Sequence, residues 1–185
     1  MKNKIKPLAI LLIIAAFISS WSGCGRKFTR PPSPEQLFKK AMDRFQDEDW
    51  FGSRLLLDSI ESEYPGSEII DKVQYYQGLA SFNNKEFIVA ENEFRSLVRD
   101  FCTSEYAESA QYYTGLSCFK QSLPAERDQT ETKEAIEEFR TFIESFRTSP
   151  LTDSALIYIK KGNDKLARKI YLNGNIVPED EAKVS

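Results

Sequence analysis

Histidine, the side chain most often used for acid–base and metal chemistry, is missing from all 185 positions of the chain. Its absence excludes Ser-His-Asp and Cys-His triads, His-ligated zinc or haem, and any imidazole proton transfer. What remains are carboxylates in close runs, Asp47-Glu48-Asp49, Glu91/Glu93 and Glu137/Glu138. Paired carboxyls can hydrolyse glycosides or hold a metal, but this needs a fixed separation across a cleft and a raised pKa on one of them. Neighbours on a helix surface provide neither, so these runs read as solvated faces. No glycine-rich phosphate loop, nucleophile elbow or metal-ligand spacing occurs. Beyond the first 24 residues the cysteines are Cys102, in a turn between helices, and Cys118, on the apolar side of a helix. Their spacing is no metal motif, and buried free thiols are favoured over a disulfide. The expectation is a non-enzyme with no catalytic residue, metal or cofactor.

The N-terminus carries a different kind of chemistry. Lys2, Lys4 and Lys6 precede an uninterrupted apolar run, residues 8–18, closed by Ser19-Ser20-Trp21-Ser22-Gly23-Cys24. As a helix the run would cover roughly 16 Å, about half a bilayer core, which suits a signal-peptide h-region and not a membrane span. The small-small-Cys ending resembles a bacterial lipobox, although Trp21 stands where an aliphatic residue is usual. Residues 1–23 are therefore expected to be a lipoprotein signal and Cys24 the acylated first mature residue; an ordinary signal cut nearby is the alternative. Several acyl chains would make membrane residence effectively permanent. Gly25 in place of Asp after the cysteine resembles the pattern of sorting to the periplasmic face of the outer membrane. The basic, Pro-containing residues 24–33 read as a tether. Without the three signal lysines, 22 basic residues face 28 acidic ones, a net charge of about −6. No basic face exists for counterion release, so nucleic acid is not an expected partner.

About 162 residues are then left for one folded domain, and its organisation is repetitive. A shift of 37 aligns Gln74-Tyr75-Tyr76-Gln77-Gly78-Leu79-Ala80-Ser81-Phe82 with Gln111-Tyr112-Tyr113-Thr114-Gly115-Leu116-Ser117-Cys118-Phe119, six of nine positions being identical. The same shift maps Phe38, Ala41, Phe45 and Trp50 onto Tyr75, Gly78, Phe82 and Phe87. Apolar stripes at i, i+4, i+7 (Phe38/Met42/Phe45, Tyr75/Leu79/Phe82, Tyr112/Leu116/Phe119) mark amphipathic first helices. Small residues recur at Ala41, Gly78 and Gly115 on these helices and at Ser53, Ala90 and Ala135 on their partners. Mid-helix glycine is unfavourable by up to about 1 kcal/mol, so its repetition predicts close backbone approach. Ser33-Pro34-Glu35-Gln36 is a capping-box pattern, and Ser67, Ser104 and Ser149, each three residues after an aromatic, are expected to N-cap the helices that follow. The aromatic spacing lengthens from 37 to 45 residues in the third unit, which places eight extra residues in 121–129.

This pattern resembles the tetratricopeptide repeat: an all-α solenoid of about three helix pairs plus one further helix, wound as a right-handed superhelix. The domain is expected over residues 34–172, with units 34–66, 67–103 and 104–148, a partial unit 149–172, and a polar tail 173–185. The last helix, from Pro150 to about Leu172, has a candidate interruption at Gly162-Asn163. It also carries an apolar side with no successor to cover it.

Two stretches, Phe94-Arg95-Ser96-Leu97-Val98-Arg99-Asp100-Phe101 and Ser109-Ala110-Gln111-Tyr112-Tyr113-Thr114-Gly115-Leu116, are similar to the BamD family of outer-membrane β-barrel assembly lipoproteins. The lengthened third unit, with Glu126-Arg127-Asp128-Gln129-Thr130 before Ala135-Ile136-Glu137-Glu138-Phe139-Arg140, is similar as well. The resemblance implies a lipid-anchored periplasmic scaffold that docks the β-barrel assembly subunit and companion lipoproteins and receives segments of unfolded outer-membrane proteins. Members of that family carry about five repeats, so the chain is expected to be a C-terminally shortened copy that keeps the receiving end. In such arrays first-helix side chains line a concave groove, which makes Phe38, Met42, Lys72, Tyr75 and Tyr112 candidates to bind an extended or aromatic-ended peptide. The alternatives are a repeat lipoprotein of division or polysaccharide export, and an accessory domain of a cell-wall lytic enzyme.

Overall fold

The computed structural model describes residues 31–174; the signal, Cys24, most of the tether and the tail from residue 175 lie outside the described residues. Within them seven helices follow one another with no strand: α1 (Pro34–Gln46), α2 (Trp50–Glu63), α3 (Ile70–Asn83), α4 (Phe87–Asp100), α5 (Ala107–Gln121), α6 (Thr130–Ser145) and α7 (Thr152–Gly174). Each helix packs on the next, and α5 also meets α7. This is the all-α array of stacked hairpins that the repeat predicts. No described helix is long and apolar enough to cross a membrane.

The helix boundaries have local causes. Ser33 accepts from the Gln36 N–H while the Gln36 side chain accepts from the Ser33 N–H, a complete capping box with Pro34 at the first helical position. The α1–α2 and α3–α4 turns each take three residues, and Glu48 and Lys85, 37 apart, hold the left-handed φ values 58° and 65° that close them. Between units, Tyr64, Phe101 and Phe146 end their helices, and each carbonyl accepts from the N–H of Ser67, Ser104 or Ser149.

Those serines are not the N-caps expected of them. The helices begin three residues later, after a tight turn in which Ile70, Ala107 and Thr152 donate to the serine carbonyls. Ser104 and Ser149 hydroxyls accept from the N–H two residues on, at 3.1 and 3.0 Å. They donate to carboxylates of the preceding first helix, Ser104 to Asp71 at 2.6 Å and Ser149 to Glu108. A residue expected to cap its own helix instead ties one unit to the next.

The close approach predicted for the glycines is present. A methyl on Gly78 would lie 2.6 Å from the Phe94 ring, and one on Gly115 would lie 3.1 Å from the Phe139 ring. Both rings are fully buried. The same rings stack on tyrosines of the following unit, Phe94 on Tyr113 at 5.2 Å and Phe139 on Tyr158 at 5.3 Å. In the first unit the small residue is Ala41 and the matching second-helix residue is Leu57, both fully buried. A larger methyl there faces a smaller partner. The helix α7 is continuous through Gly162-Asn163, contrary to the interruption expected. Gly162 is buried, with space for a methyl closed off by Ile136 at 2.8 Å, so this glycine also marks a close approach.

Gly78→Ala will lower stability by about 1–3 kcal/mol through overpacking. Adding Phe94→Leu, which reproduces the Ala41/Leu57 pairing, will restore part of the loss, read as a favourable coupling in a double-mutant cycle by urea denaturation. Additive losses would show that the ring and the glycine are not matched.

Candidate functional site

Of the five groove candidates, Phe38 and Met42 lie one turn apart on α1, Lys72 and Tyr75 one turn apart on α3, and Tyr112 on α5. Phe38 is half-buried, its ring meeting the edge of Tyr76 at 5.5 Å. The Lys72 ammonium lies 4.7 Å from the Phe38 ring centroid, a cation–π distance that brings the two candidates together across the α1–α3 seam. Met42 packs beside them against the first core cluster. Tyr75 is half-buried and stacked on Tyr106 at 4.9 Å, with Tyr76 at 5.5 Å on another side. Burial pushes its hydroxyl pKa up.

Tyr112 does not join them. It is 8% exposed, its ring meets Phe139 and Phe142, and its hydroxyl is hydrogen-bonded to Ser154 on α7 at 2.7 Å. Tyr106, which the repeat pattern alone did not single out, takes its place beside Tyr75. Burial, followed by its neighbour Glu105, holds the Tyr106 hydroxyl up at about 12. The signal available was positional: Tyr106 aligns with Ile69 and Leu151 under the unit shifts, and it alone of the three is aromatic.

Of the acidic runs expected to be solvated faces, Asp47, Glu48 and Glu137 are exposed, whereas their neighbours are paired. Asp49 caps α2 by accepting from the Gly52 N–H at 2.9 Å and pairs with Arg44 at 2.6 Å, which holds its carboxyl below the usual range. Glu93 is paired with Arg54 of the preceding unit at 3.0 Å. Glu91 and Glu138 both meet Arg95, at 2.8 and 3.0 Å, with side chains only 16% and 17% exposed. Burial alone would lower the Arg95 pKa, but Glu138 and Glu91 raise it above its ordinary value.

Glu91, Cys118 and Glu134 also bring three metal-ligand atoms within 4.8 Å of one another. The same Arg95 guanidinium lies 3.0 Å from Glu134, and Gln121 donates to Glu91 at 2.6 Å. Burial and then the adjacent carboxylates push the Cys118 thiol pKa far up, so it stays protonated instead of offering a thiolate. The cluster is an ionic junction whose cation is already an arginine. Both later cysteines are free thiols; Cys118 is buried as expected, whereas Cys102 is exposed because its turn faces outward.

The geometry so far is that of a stacked helical array with a half-buried aromatic and cationic seam on its first helices. A family model described as YfiO, outer membrane lipoprotein, matches residues 31–173. The chain belongs to this family. No curated protein matches it. The YfiO match spans all but the last residue of the seven helices. YfiO proteins are outer membrane lipoproteins, which associates the chain with that membrane.

Two outcomes test the ionic junctions. Arg95→Met leaves the sparsely exposed Glu91 and Glu138 without their cation and will destabilise by about 1–3 kcal/mol. Arg140→Met, which breaks only the exposed pair with Glu137, will change stability by less than about 0.5 kcal/mol. Chemical denaturation of both variants makes the comparison. Glu93 gives a pH signature, because burial outweighs Arg54 and raises its pKa above 4.5. Its contribution is fully present below pH 4.5 and is lost as pH rises through the raised value. Glu93→Gln will therefore match wild-type stability near pH 4 and exceed it at pH 7; equal stability at both would remove burial as the dominant cause.

Proposed function

We propose that the chain is a lipid-anchored periplasmic scaffold of the outer-membrane β-barrel assembly machinery, acting as members of the BamD family do. It holds peptide segments of unfolded outer-membrane proteins on its first-helix side and docks the β-barrel assembly subunit and companion lipoproteins on its outer faces. The supporting observation is the membership in an outer membrane lipoprotein family of an array whose α1–α3 seam pairs a half-buried aromatic, Phe38, with a cation, Lys72. An aromatic-ended peptide presents a ring and a terminal carboxylate. The ring can pack beside Phe38 and Met42, the Lys72 ammonium can meet the carboxylate, and the Tyr75–Tyr106 stack continues the surface along α3. Among the described residues no ion pair involves Lys72, so its charge is free for a ligand. Attachment through Cys24, ahead of the tether, would hold this surface at the periplasmic face.

Preorganisation matters because an extended peptide gives up its own conformational freedom on binding. A surface already fixed by the packed cores behind it adds little to that loss.

A peptide ending in phenylalanine, labelled at its N-terminus, will bind the chain with an affinity that falls at least about five-fold in Lys72→Glu, measured by fluorescence anisotropy. The substitution is on a half-exposed polar position and will leave the thermal midpoint within about 2 °C. Amidating the peptide's carboxylate will weaken wild-type binding by a similar factor and will not weaken binding to Lys72→Glu, where it removes a like-charge repulsion. Copurification from membranes tests the larger reading, which requires recovery of the barrel-forming subunit; recovery of a polysaccharide exporter or division proteins in its place overturns it.

A further inference from the structure

On the side of α7 that faces the α5–α6 loop, Lys165, Arg168 and Lys169 place three cations close together. A cleft of about 450 Å³ opens there between helix and loop, lined by Pro124, Ala125, Glu126, Asp164, Lys165 and Arg168. Among the described residues no ion pair involves any of the three cations. The Lys165 ammonium donates to the Ser122 hydroxyl at 2.8 Å and lies 5.9 Å from the Phe119 ring centroid, and neither group carries a charge. Its side chain is half-buried, and burial pulls its pKa below the ordinary lysine value against a weaker opposing effect of Glu131. Lys169 donates to the Arg127 carbonyl at 2.7 Å, and Arg168 is exposed.

The carboxylates nearby do not neutralise this group. Asp164 is paired with Lys160 at 2.8 Å, and Asp128 accepts from the Gln129 N–H at 2.9 Å. Glu126 is exposed and makes no ion pair with Lys165 or Arg168. A lysine withdrawn from water without a counter-ion, one turn from an arginine that also has none, is a place for an anion.

The chain carries one within reach. The first acidic run after α7 is Glu179-Asp180-Glu181, and Asn173-Gly174-Asn175 and Pro178, residues suited to a reversal, precede it. A methyl on Gly174 would meet nothing within 4 Å, so the helix end leaves room for the chain to turn. Arg168 and Lys165 lie about 9 and 14 Å back along the helix from Gly174 at 1.5 Å per residue. The five to seven residues that lead from Gly174 to the run span up to about 16–23 Å when extended. Tethering so short gives the run an effective concentration on the order of millimolar, which a free acidic peptide does not match. Acidic residues outnumber basic ones over the chain as a whole, so the run is repelled by most of the surface and drawn to this part of it.

We infer that the chain's own acidic run, Glu179-Asp180-Glu181, folds back past Gly174 and docks in this cleft, its carboxylates on Lys165 and Arg168. The contact is an electrostatic latch that ties the segment after α7 to the α5–α6 loop. It closes at low ionic strength and opens as salt screens the charges. An acidic segment of another protein has to displace it before using the cleft.

Zero-length carbodiimide coupling of the full chain tests the latch, because it joins only an ammonium and a carboxylate in contact. At about 0.01 M salt, peptide mapping will find Lys165 joined to Glu179, Asp180 or Glu181 within one chain, at least about five-fold more than the exposed Lys133 is joined to the same run. Arg168→Glu will cut this yield at least about five-fold, and so will about 1 M salt, with the Lys160–Asp164 link inside α7 as the reference. A yield unchanged in Arg168→Glu would mean that the run only brushes past, and overturns the proposal. Coupling between light and heavy isotope-labelled chains in a mixture overturns it as well, because the run then belongs to a second copy. Coupling of Lys165 to Glu126 or Glu131 alone also overturns it, and leaves the cleft to another protein's acidic segment. A second readout needs no coupling: the Lys165 pKa, followed by carbon-13 NMR, will be higher in the wild type than in the triple variant Glu179→Gln, Asp180→Asn, Glu181→Gln. Equal values would show that no carboxylate of the run reaches the cleft.

Discussion

The array depends on one steric match: in the second and third units a flat ring from the second helix lies against a backbone with no side chain and also stacks on the next unit. Phe94 touches Gly78 within its own hairpin and Tyr113 in the next, and Phe139 does the same with Gly115 and Tyr158. One side chain therefore fixes both the crossing inside a unit and the spacing between units. Packing at crystal-like density leaves little freedom at such a contact. The first unit solves the same problem with Ala41 and Leu57, moving a methyl's worth of volume from one helix to the other. A 37-residue period is what that match looks like when written along the chain.

Much of this was legible because helices write their packing at fixed intervals. The shift of 37, the stripes and the recurring small residues located all seven helices, and the lengthened spacing placed the insertion at the α5–α6 loop, although only five of the eight extra residues lie in that loop and the other three lengthen α5 and α6. What misled were features whose meaning depends on a neighbour. Ser104 and Ser149 have the chemistry of N-caps, but Asp71 and Glu108, one helix pair earlier in the chain, draw their hydroxyls away from that role. Gly162 reads as a helix breaker until Ile136 is seen against it. Tyr112 and Tyr75 occupy equivalent positions, yet α7 closes over Tyr112 and supplies Ser154 to its hydroxyl, while Tyr75 stays half open. Periodicity identifies a stripe; only the flanking helix decides whether the stripe is core or surface.

The carboxylates follow the same rule. Arg54 on α2 reaches Glu93 on α4, and Arg95 on α4 reaches Glu134 and Glu138 on α6. Glu93 and Glu138 are equivalent under the 45-residue shift, and each receives an arginine of the preceding second helix, although Arg54 and Arg95 stand four residues apart in the repeat register. Sequence neighbours of like sign, which suggested solvated runs, are accommodated because a cation arrives from some 40 residues away. With the aromatic stacks on the first-helix side and the Arg95 ion pairs between α4 and α6, the second and third units are joined along both edges.

The eight extra residues of the third unit have a physical role in this scheme. A three-residue turn closes the first two hairpins, but α7, at 23 residues, runs past the end of α5 and needs something beneath it. The longer loop supplies it. Gln129 is 2% exposed and its amide donates to the carbonyls of Pro124 and Asp128, at 2.7 and 2.9 Å, while its own carbonyl accepts from Thr132. Ala125 is buried beside it. A loop that satisfies its backbone through a buried amide can present a fixed outer surface. Lys165 and Lys169 of α7 then reach down to the Ser122 hydroxyl and the Arg127 carbonyl at 2.8 and 2.7 Å. The longer loop thus supports the far half of α7 through these two lysines.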